Sequence, residues 1–274
     1  MKQQEIDLDF SRRQVMTIVN VTPDSFFAGS RTPNWQDVER RVRTAVAAGA
    51  SIIDVGGYSS RPGADEVPPE EEWRRVDLGI GAVRTLSPEI PVSVDTFRSS
   101  VAAQAIRKYG KVIVNDISAG ELDPQLVDVA AEYDVPYVAM HMKGDPRTMQ
   151  SLTDYRDIVA EVVGYFRVRT AQLRERGVRR IIVDPGFGFA KTLDQNYELL
   201  RGLHRLAELG YPVLAGVSRK SMIYKLLDMT PAEALNGTTA LHWECLRQGA
   251  AILRVHDTRE AVEVVRLFDR FTQV

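Results

Sequence analysis

The 274-residue sequence predicts a single-domain TIM-type (β/α)8 barrel, and three observations carry that prediction. Eight short runs rich in Val and Ile recur along the chain, each followed by a longer stretch whose apolar residues keep helical spacing. The runs are apolar at nearly every position, as parallel strands are when both faces are covered. No Gly-x-Gly-x-x-Gly follows the first run, which weighs against an open dinucleotide-binding sheet. Strict alternation implies parallel strands joined by right-handed crossovers, and eight equal repeats suit a closed barrel.

Residues 1–14 read as a polar leader and 15–274 as the barrel. The first strand is expected over 15–21, followed by a helix at 36–48 whose Val38, Val42, Ala45 and Val46 share one face. A strand at 51–55 leads to a helix at 70–86, which starts after Pro68-Pro69 with three glutamates suited to the positive end of a helix dipole. Strand 91–95 pairs with helix 99–108, and strand 112–116 with helix 124–132. Strand 136–140 precedes the longest helix, near 155–175. Strand 180–184 leads to a helix near 196–208, and strand 212–217 to a segment, 220–248, with two helical stretches separated by 228–231. Strand 250–255 and helix 258–271 close the chain. No Pro, Gly or Ser-rich linker interrupts the series, so one domain is expected.

With 35 Lys and Arg against 37 Asp and Glu, the formal charge of −2 gives no basic footprint for non-specific nucleic-acid binding. A chain of this size buries about three quarters of its unfolded surface, so it needs no disulfide to fold. The single cysteine, Cys245, lies in an apolar-periodic segment and reads as a small buried hydrophobe. The leader lacks an apolar core of signal-peptide length, and no run of about 18 apolar residues occurs; a cytoplasmic protein without a membrane span is expected.

In such a barrel the chemistry sits at the C-terminal ends of the strands. Those ends carry, in order, Asn20, Gly56 to Arg61, Asp95, Asn115-Asp116, His141, Asp184, Ser218-Arg219-Lys220, and Arg254 with His256. Asp95 and Asp184, with Asn115 and Lys220, offer acceptors and donors to a flat heterocycle rich in N–H groups. Arg61, Arg254 and His256 offer cations to a phosphate-type anion. Helix starts after Gly186 and Ser218 add backbone N–H donors. His204, His242, Trp35, Trp73 and Trp243 read as structural or packing residues, and the run from Glu70 to Arg75 as a solvated helix start. His141, at the rim, is open to either a structural role or stacking on a ligand. No His, Cys and carboxylate spacing marks a zinc site.

At these positions the sequence resembles the dihydropteroate synthase family over essentially its whole length after the leader. The resemblance rests on Asn20-Val21-Thr22-Pro23-Asp24-Ser25-Phe26, Ser60-Arg61-Pro62-Gly63-Ala64, Ser93-Val94-Asp95-Thr96, Asn115-Asp116-Ile117, Met140-His141-Met142, Asp184-Pro185-Gly186-Phe187-Gly188-Phe189, Ser218-Arg219-Lys220-Ser221 and Arg254-Val255-His256-Asp257, in that order. It implies condensation of 6-hydroxymethyl-7,8-dihydropterin diphosphate with 4-aminobenzoate to give 7,8-dihydropteroate and pyrophosphate, in folate synthesis. By motif position it implies that Asp95, Asn115, Met140, Asp184 and Lys220 bind the pterin. Ser60, Arg61, Arg254 and His256 would serve the diphosphate, with Asn20 helping to hold Mg²⁺. Lys220, Ser221 and Phe189 would face the aminobenzoate, and catalysis would rest on Lys220, Arg61, Arg254 and His256. The resemblance also implies a homodimer through the last helices and a target for sulfonamides.

The long connections 22–34 and 58–69 read as candidate lids. They also depart from the family pattern: Tyr58 stands where Glu is usual, Ser60 where Thr is usual, and Phe27-Ala28 where a polar pair is usual. Gln195 stands where His is common and is expected to be neutral. Three rivals are weighed. A methyltetrahydrofolate-dependent methyltransferase on the same fold needs no diphosphate site, against Arg61, Arg254 and His256. A Schiff-base aldolase would use Lys220 as nucleophile, yet Lys220 lies in a loop beyond its strand, beside Arg219. A non-catalytic pterin-binding paralogue would be expected to lose rim groups that are retained here.

Overall fold

The computed structural model describes residues 6, 8–22, 34–59 and 66–273. Its first half runs β1 Gln14–Asn20, α1 Trp35–Ala47, β2 Ile52–Gly56, α2 Pro69–Leu86, β3 Val92–Asp95, α3 Ser99–Tyr109, β4 Ile113–Asp116 and α4 Gln125–Glu132. The second half runs β5 Tyr137–Met140, α5 Ile158–Glu175, β6 Ile181–Asp184, α6 Leu193–Arg201, α7 His204–Ala207, β7 Leu214–Ala215, α8 Ser221–Tyr224, α9 Leu235–Arg247, β8 Ile252–Val255 and α10 Thr258–Thr272. The strands form one parallel sheet in the order β6-β5-β4-β3-β2-β1-β8-β7. A parallel bridge between Val183 and Val213 joins its two ends, with the Val183 N–H donating to the Pro212 carbonyl at 3.0 Å. The predicted TIM barrel is therefore the observed fold.

Side chains alternate across each strand, so every strand feeds two cores. Outward residues such as Val15, Val19, Ile53, Val55, Val92 and Val94 pack beneath the helices. Inward residues Met16, Ile52, Ile113, Val138, Ile182, Leu214 and Ile252 form one apolar layer across the barrel floor. Ile6 joins that layer and Leu8 and Phe10 pack against it, so apolar positions of the stretch read as a polar leader seal the floor.

Local chemistry explains where the elements depart from expectation. α5 starts at Ile158 because Asp157 caps it, its side chain accepting from the Ala160 N–H at 2.9 Å; a 3-10 turn at Met149–Ser151 precedes it. The helix expected over 196–208 is two helices. Gly202 separates them, and a Cβ there would lie 2.6 Å from Val159 of α5, so close packing fixes the break. Gln195, expected to be neutral, closes a capping box with Thr192 and donates to the Thr153 carbonyl at 2.8 Å.

The charged start of α2 is not simply solvated. Glu71 pairs with Arg74 and Arg75 near the surface, but Glu72 is fully buried and accepts from Thr96 Oγ1 and Arg98 Nη1, each at 2.5 Å. Glu72 shares the inward stripe of Val76, Gly79, Ile80 and Val83, so helical spacing drives it inside. Trp35 is exposed rather than packed, whereas Trp73 and Trp243 pack on the core. His242 and Cys245 are buried in α9, and His204 bonds Gln248 through Nδ1 at 2.8 Å.

Candidate active site

One layer above the apolar floor, alternation brings a different set of inward positions together: Ile18, Asp54, Asn115, Met140, Asp184, Gly216 and Arg254. Asp54 was not among the sequence candidates. It lies in mid-strand, register partner of Ile18 on one side and Ser93 on the other, below the strand ends where chemistry was sought. The signal was present: one carboxylate in the run Ile52-Ile53-Asp54-Val55.

Asp54 is fully buried and anchors a network. Arg254 Nε donates to Asp54 Oδ2 at 2.7 Å, while its Nη2 donates to Asp95 Oδ2 at 2.5 Å. Asn115 Nδ2 donates to both Asp54 oxygens, at 3.3 and 3.2 Å. One guanidinium thus serves two carboxylates. Burial pushes the Asp95 carboxyl up to about 7; Arg254 opposes the rise and Asp54 adds to it. Burial works against the charge on Arg254, but Asp54 and Asp95 outweigh it and raise its pKa. Burial raises Asp184 despite the attraction of Lys220, and lowers Lys220 to about 8 despite the attraction of Asp184.

Above this layer opens a cavity of about 420 Å³. Asn20, Asp95, Phe189, Lys220, Ser221, Arg254 and His256 line it, together with Tyr58 and Ser59. Asn115, Met140 and Asp184 lie beneath this lining: Asn115 is tied to Asp54, and Met140 packs in a cluster with Met142 and Met149. Ser60 and Arg61 lie outside the described residues, as does most of the first candidate lid. Asp116 faces away, accepting from Ser118, Gly120 and Tyr137, and serves its loop. His141 does not line the cavity; it is buried with its ring edge-on to Tyr165 at 4.9 Å, which resolves its two readings toward structure.

Two loops aim the key side chains. After β6, Gly186 has φ +69°, and a Cβ there would lie 2.1 Å from the His141 carbonyl oxygen, so the turn demands glycine. Asp184 Oδ1 accepts from the Gly186 N–H at 2.7 Å. The turn presents Phe189, whose ring centre is 4.9 Å from Lys220 Nζ. After β7, Arg219 adopts φ +54° and is held by Asp257 and by the carbonyls of Pro231 and Ala232. Arg219 is therefore a strut, and Lys220 beside it turns into the barrel, where its Nζ donates to the Phe187 carbonyl. Ser218 Oγ joins His256 Nδ1 and the His256 N–H, each at 3.1 Å.

Carboxylates and an amide in the depth of a barrel, with cations at its mouth, define an enzyme class that grips a flat, N–H-rich heterocycle carrying an anion. A family model described as pterin binding enzyme matches residues 16–256, and the chain belongs to that family. It is 43% identical over 261 residues to dihydropteroate synthase of Synechocystis sp., covering 94% of this chain and 90% of that protein. Its structure matches Xanthomonas albilineans dihydropteroate synthase, solved with 4-aminobenzoic acid, at TM-score 0.90 and 38% identity, covering 97% of this chain and 96% of that one. Yersinia pestis dihydropteroate synthase, solved in a sulfonamide drug complex, matches at TM-score 0.91 and 35% identity, covering 100% and 98%. Within the pterin-binding family the chain is one of the dihydropteroate synthases, transferases of folate synthesis. That assignment displaces the methyltransferase and aldolase alternatives.

Proposed function

We propose that this rim condenses 6-hydroxymethyl-7,8-dihydropterin diphosphate with 4-aminobenzoate by letting the diphosphate leave before the amine attacks. The observation that carries this reading is the charge gathered at one cavity: Asp95, Lys220, Arg254 and His256 line it, with Asp54 and Asp184 buried beside them. Asp95, Asn115 and Asp184 would take the N–H edge of the pterin, with Met140 against its ring and Lys220 near the ring oxygen. Ser60, Arg61, Arg254 and His256 would bind the diphosphate. Phe189 and Ser221 would hold the aminobenzoate.

The bond from the methylene carbon to the diphosphate oxygen breaks with its electron pair on oxygen. Cations at the mouth stabilise that growing negative charge, and the carboxylates below stabilise the positive charge left on the pterin methylene. The arylamine then forms the C–N bond and loses one proton to the departed diphosphate or to solvent. A weak nucleophile of this kind needs positioning more than a strong base. Asn20, whose side chain lines the cavity, would hold Mg²⁺. A single neutral amide oxygen from Asn20 suits an ion such as Mg²⁺ that keeps most of its ligands as substrate phosphate and water. When bound, Mg²⁺ would add neutralising charge to the leaving diphosphate.

The test is pyrophosphate release with and without each substrate and with a competing sulfonamide, using a pterin substrate deuterated at the methylene. Release requiring both substrates, and a secondary isotope effect clearly above unity, is expected; a value near unity overturns the proposed order. We also propose a cytoplasmic homodimer built through the last helices, because Leu267 and Phe271 of α10 are 65% and 70% exposed. Leu267→Asp with Phe271→Asp should yield a monomer by light scattering, and an unchanged mass would refute that interface. No helix among the described residues is long and apolar enough to cross a membrane.

A further inference from the structure

Lys191 follows the glycine-rich turn after β6 and is nine-tenths hidden, yet it does not line the cavity. Its Nζ lies 3.0 Å from the Gly186 carbonyl, 2.8 Å from the Phe189 carbonyl, 3.1 Å from His141 Nδ1 and 3.4 Å from the His141 carbonyl. An ammonium has three N–H donors and no acceptor, so it can satisfy three of these four sites at once. The two shortest contacts to carbonyls mark the first and last residues of the turn Gly186–Phe189. Between them, Phe187 O accepts from Lys220, and the Gly188 N–H donates to Asn196 Oδ1 at 2.6 Å.

The turn is thus held at every residue, and two of its holders are lysines from opposite sides. Burial lowers Lys191 to about 7; Asp184 attracts its charge, while Lys220 and Lys143 repel it. Those groups and His141, which burial and Lys191 hold neutral by pushing it down to about 2, are what face the ammonium. An uncharged His141 can offer Nδ1 as an acceptor, so the contact is a hydrogen bond rather than a clash of like charges.

We propose that Lys191 is a positioning residue for the transfer: it fixes the turn that sets the Phe189 ring, and through the Phe187 carbonyl the Lys220 amine, on the aminobenzoate side of the cavity. It reaches no substrate itself. The proposal rests on the reading above in which Phe189 faces 4-aminobenzoate. Asn115 and Arg254 are held by Asp54 instead, and Asp95 through Arg254, so these groups have a support apart from the turn, whereas Asp184 and Lys220 share it.

The test is Lys191→Met, which keeps the length of the stem and removes the donors. Steady-state pyrophosphate release is measured against each substrate, with calorimetric binding of the pterin diphosphate alone. The KM for 4-aminobenzoate should rise about tenfold or more while pterin affinity falls by clearly less, about threefold, because Phe189 serves only the second substrate whereas Asp95, Asn115 and Arg254 keep their own support on the first. Asn196→Ala, which releases the turn at Gly188, should give the same split to a smaller degree and serves if Lys191→Met does not fold. Equal losses for both substrates, or no loss, would show that Lys191 is merely structural. Failure of the wild-type protein to turn over 4-aminobenzoate would instead remove the reading on which the proposal rests, and the proposal with it.

Discussion

Asp54→Asn is the sharpest probe of the site, because it keeps shape and removes one charge at a fully buried position. In the wild type both Asp54 oxygens are acceptors: one takes Arg254 Nε at 2.7 Å, and both take Asn115 Nδ2 at 3.3 and 3.2 Å. An asparagine there turns one acceptor into an NH2 group. Whichever way the amide is placed, that group faces either the guanidinium or the Asn115 amide donor. Removing one partner of a buried ion pair costs about 3–5 kcal/mol when the other is left alone. Arg254 keeps Asp95 at 2.5 Å, so roughly half of that, about 2 kcal/mol, is the expected loss of stability. Loss of the Asp54 charge also lets the Asp95 carboxyl fall from its raised value of about 7, since Asp54 is one of the groups holding it up. Equilibrium urea unfolding at pH 7 measures the first effect, and the kcat/KM profile against pH measures the second. In the proposed mechanism Arg254 also stabilises the leaving group, so a loosened guanidinium should lower kcat/KM by about 10²-fold. A variant with wild-type stability and kcat/KM within about twofold would refute the reasoning that Asp54 positions Arg254.

Asp95 is raised from its ordinary 3.8 to about 7, so its contribution to stability is complete below pH 4 and is lost as pH rises to 7. Ligand-free wild type should therefore lose stability more steeply across that window than Asp95→Asn; parallel curves by chemical denaturation would count against the shift. Lys220→Ala and Asp184→Asn should each reduce turnover by about 10² or more, because each removes a charge from the reacting layer, and either variant with wild-type kcat/KM would overturn its role. Tyr58 lines the cavity with its ring edge-on to Phe97 at 5.2 Å and the Arg98 guanidinium 5.3 Å away. Tyr58→Glu, which introduces the residue the family resemblance leads one to expect there, should change the KM for 4-aminobenzoate more than kcat; equal constants in both proteins would show the position to be neutral.

The barrel was legible because its signal is repeated: each strand carries its own run of Val and Ile, and each helix its own apolar face. Boundaries were legible only where local chemistry marked them. Pro68-Pro69 announces α2, but the split between α6 and α7 depends on Gly202 meeting Val159 of α5, a contact between residues 43 positions apart that no local pattern encodes. Lys191 and Glu72 escaped notice for a related reason. As isolated letters they look like surface charges, and only the partners that surround them, backbone carbonyls for one and Arg98 with Thr96 for the other, make burial tolerable.

Asp54 was missed for a different reason, and that reason bears on how the site works. Strand ends are where a barrel meets its ligand, and Asp95, Lys220 and Arg254 were found there because they line the cavity. Asp54 sits in mid-strand, does not line it, and touches Arg254 and Asn115 instead. In the ligand-free chain Asp95 shares Arg254 with Asp54. In the proposed mechanism a pterin that brings N–H donors to Asp95 would compete with the guanidinium for the same oxygens, and a diphosphate that binds Arg254 would compete with Asp95 from the other side. Both exchanges would leave Arg254 free to swing if Asp95 were its sole anchor. Asp54, fully buried and not part of the cavity lining, would keep the guanidinium in place while its other partner changes. The proposed site therefore needs two carboxylates on one arginine: Asp95 to be given up to the ligand and Asp54 to be retained. A sequence search limited to groups that face the ligand finds the first and overlooks the second.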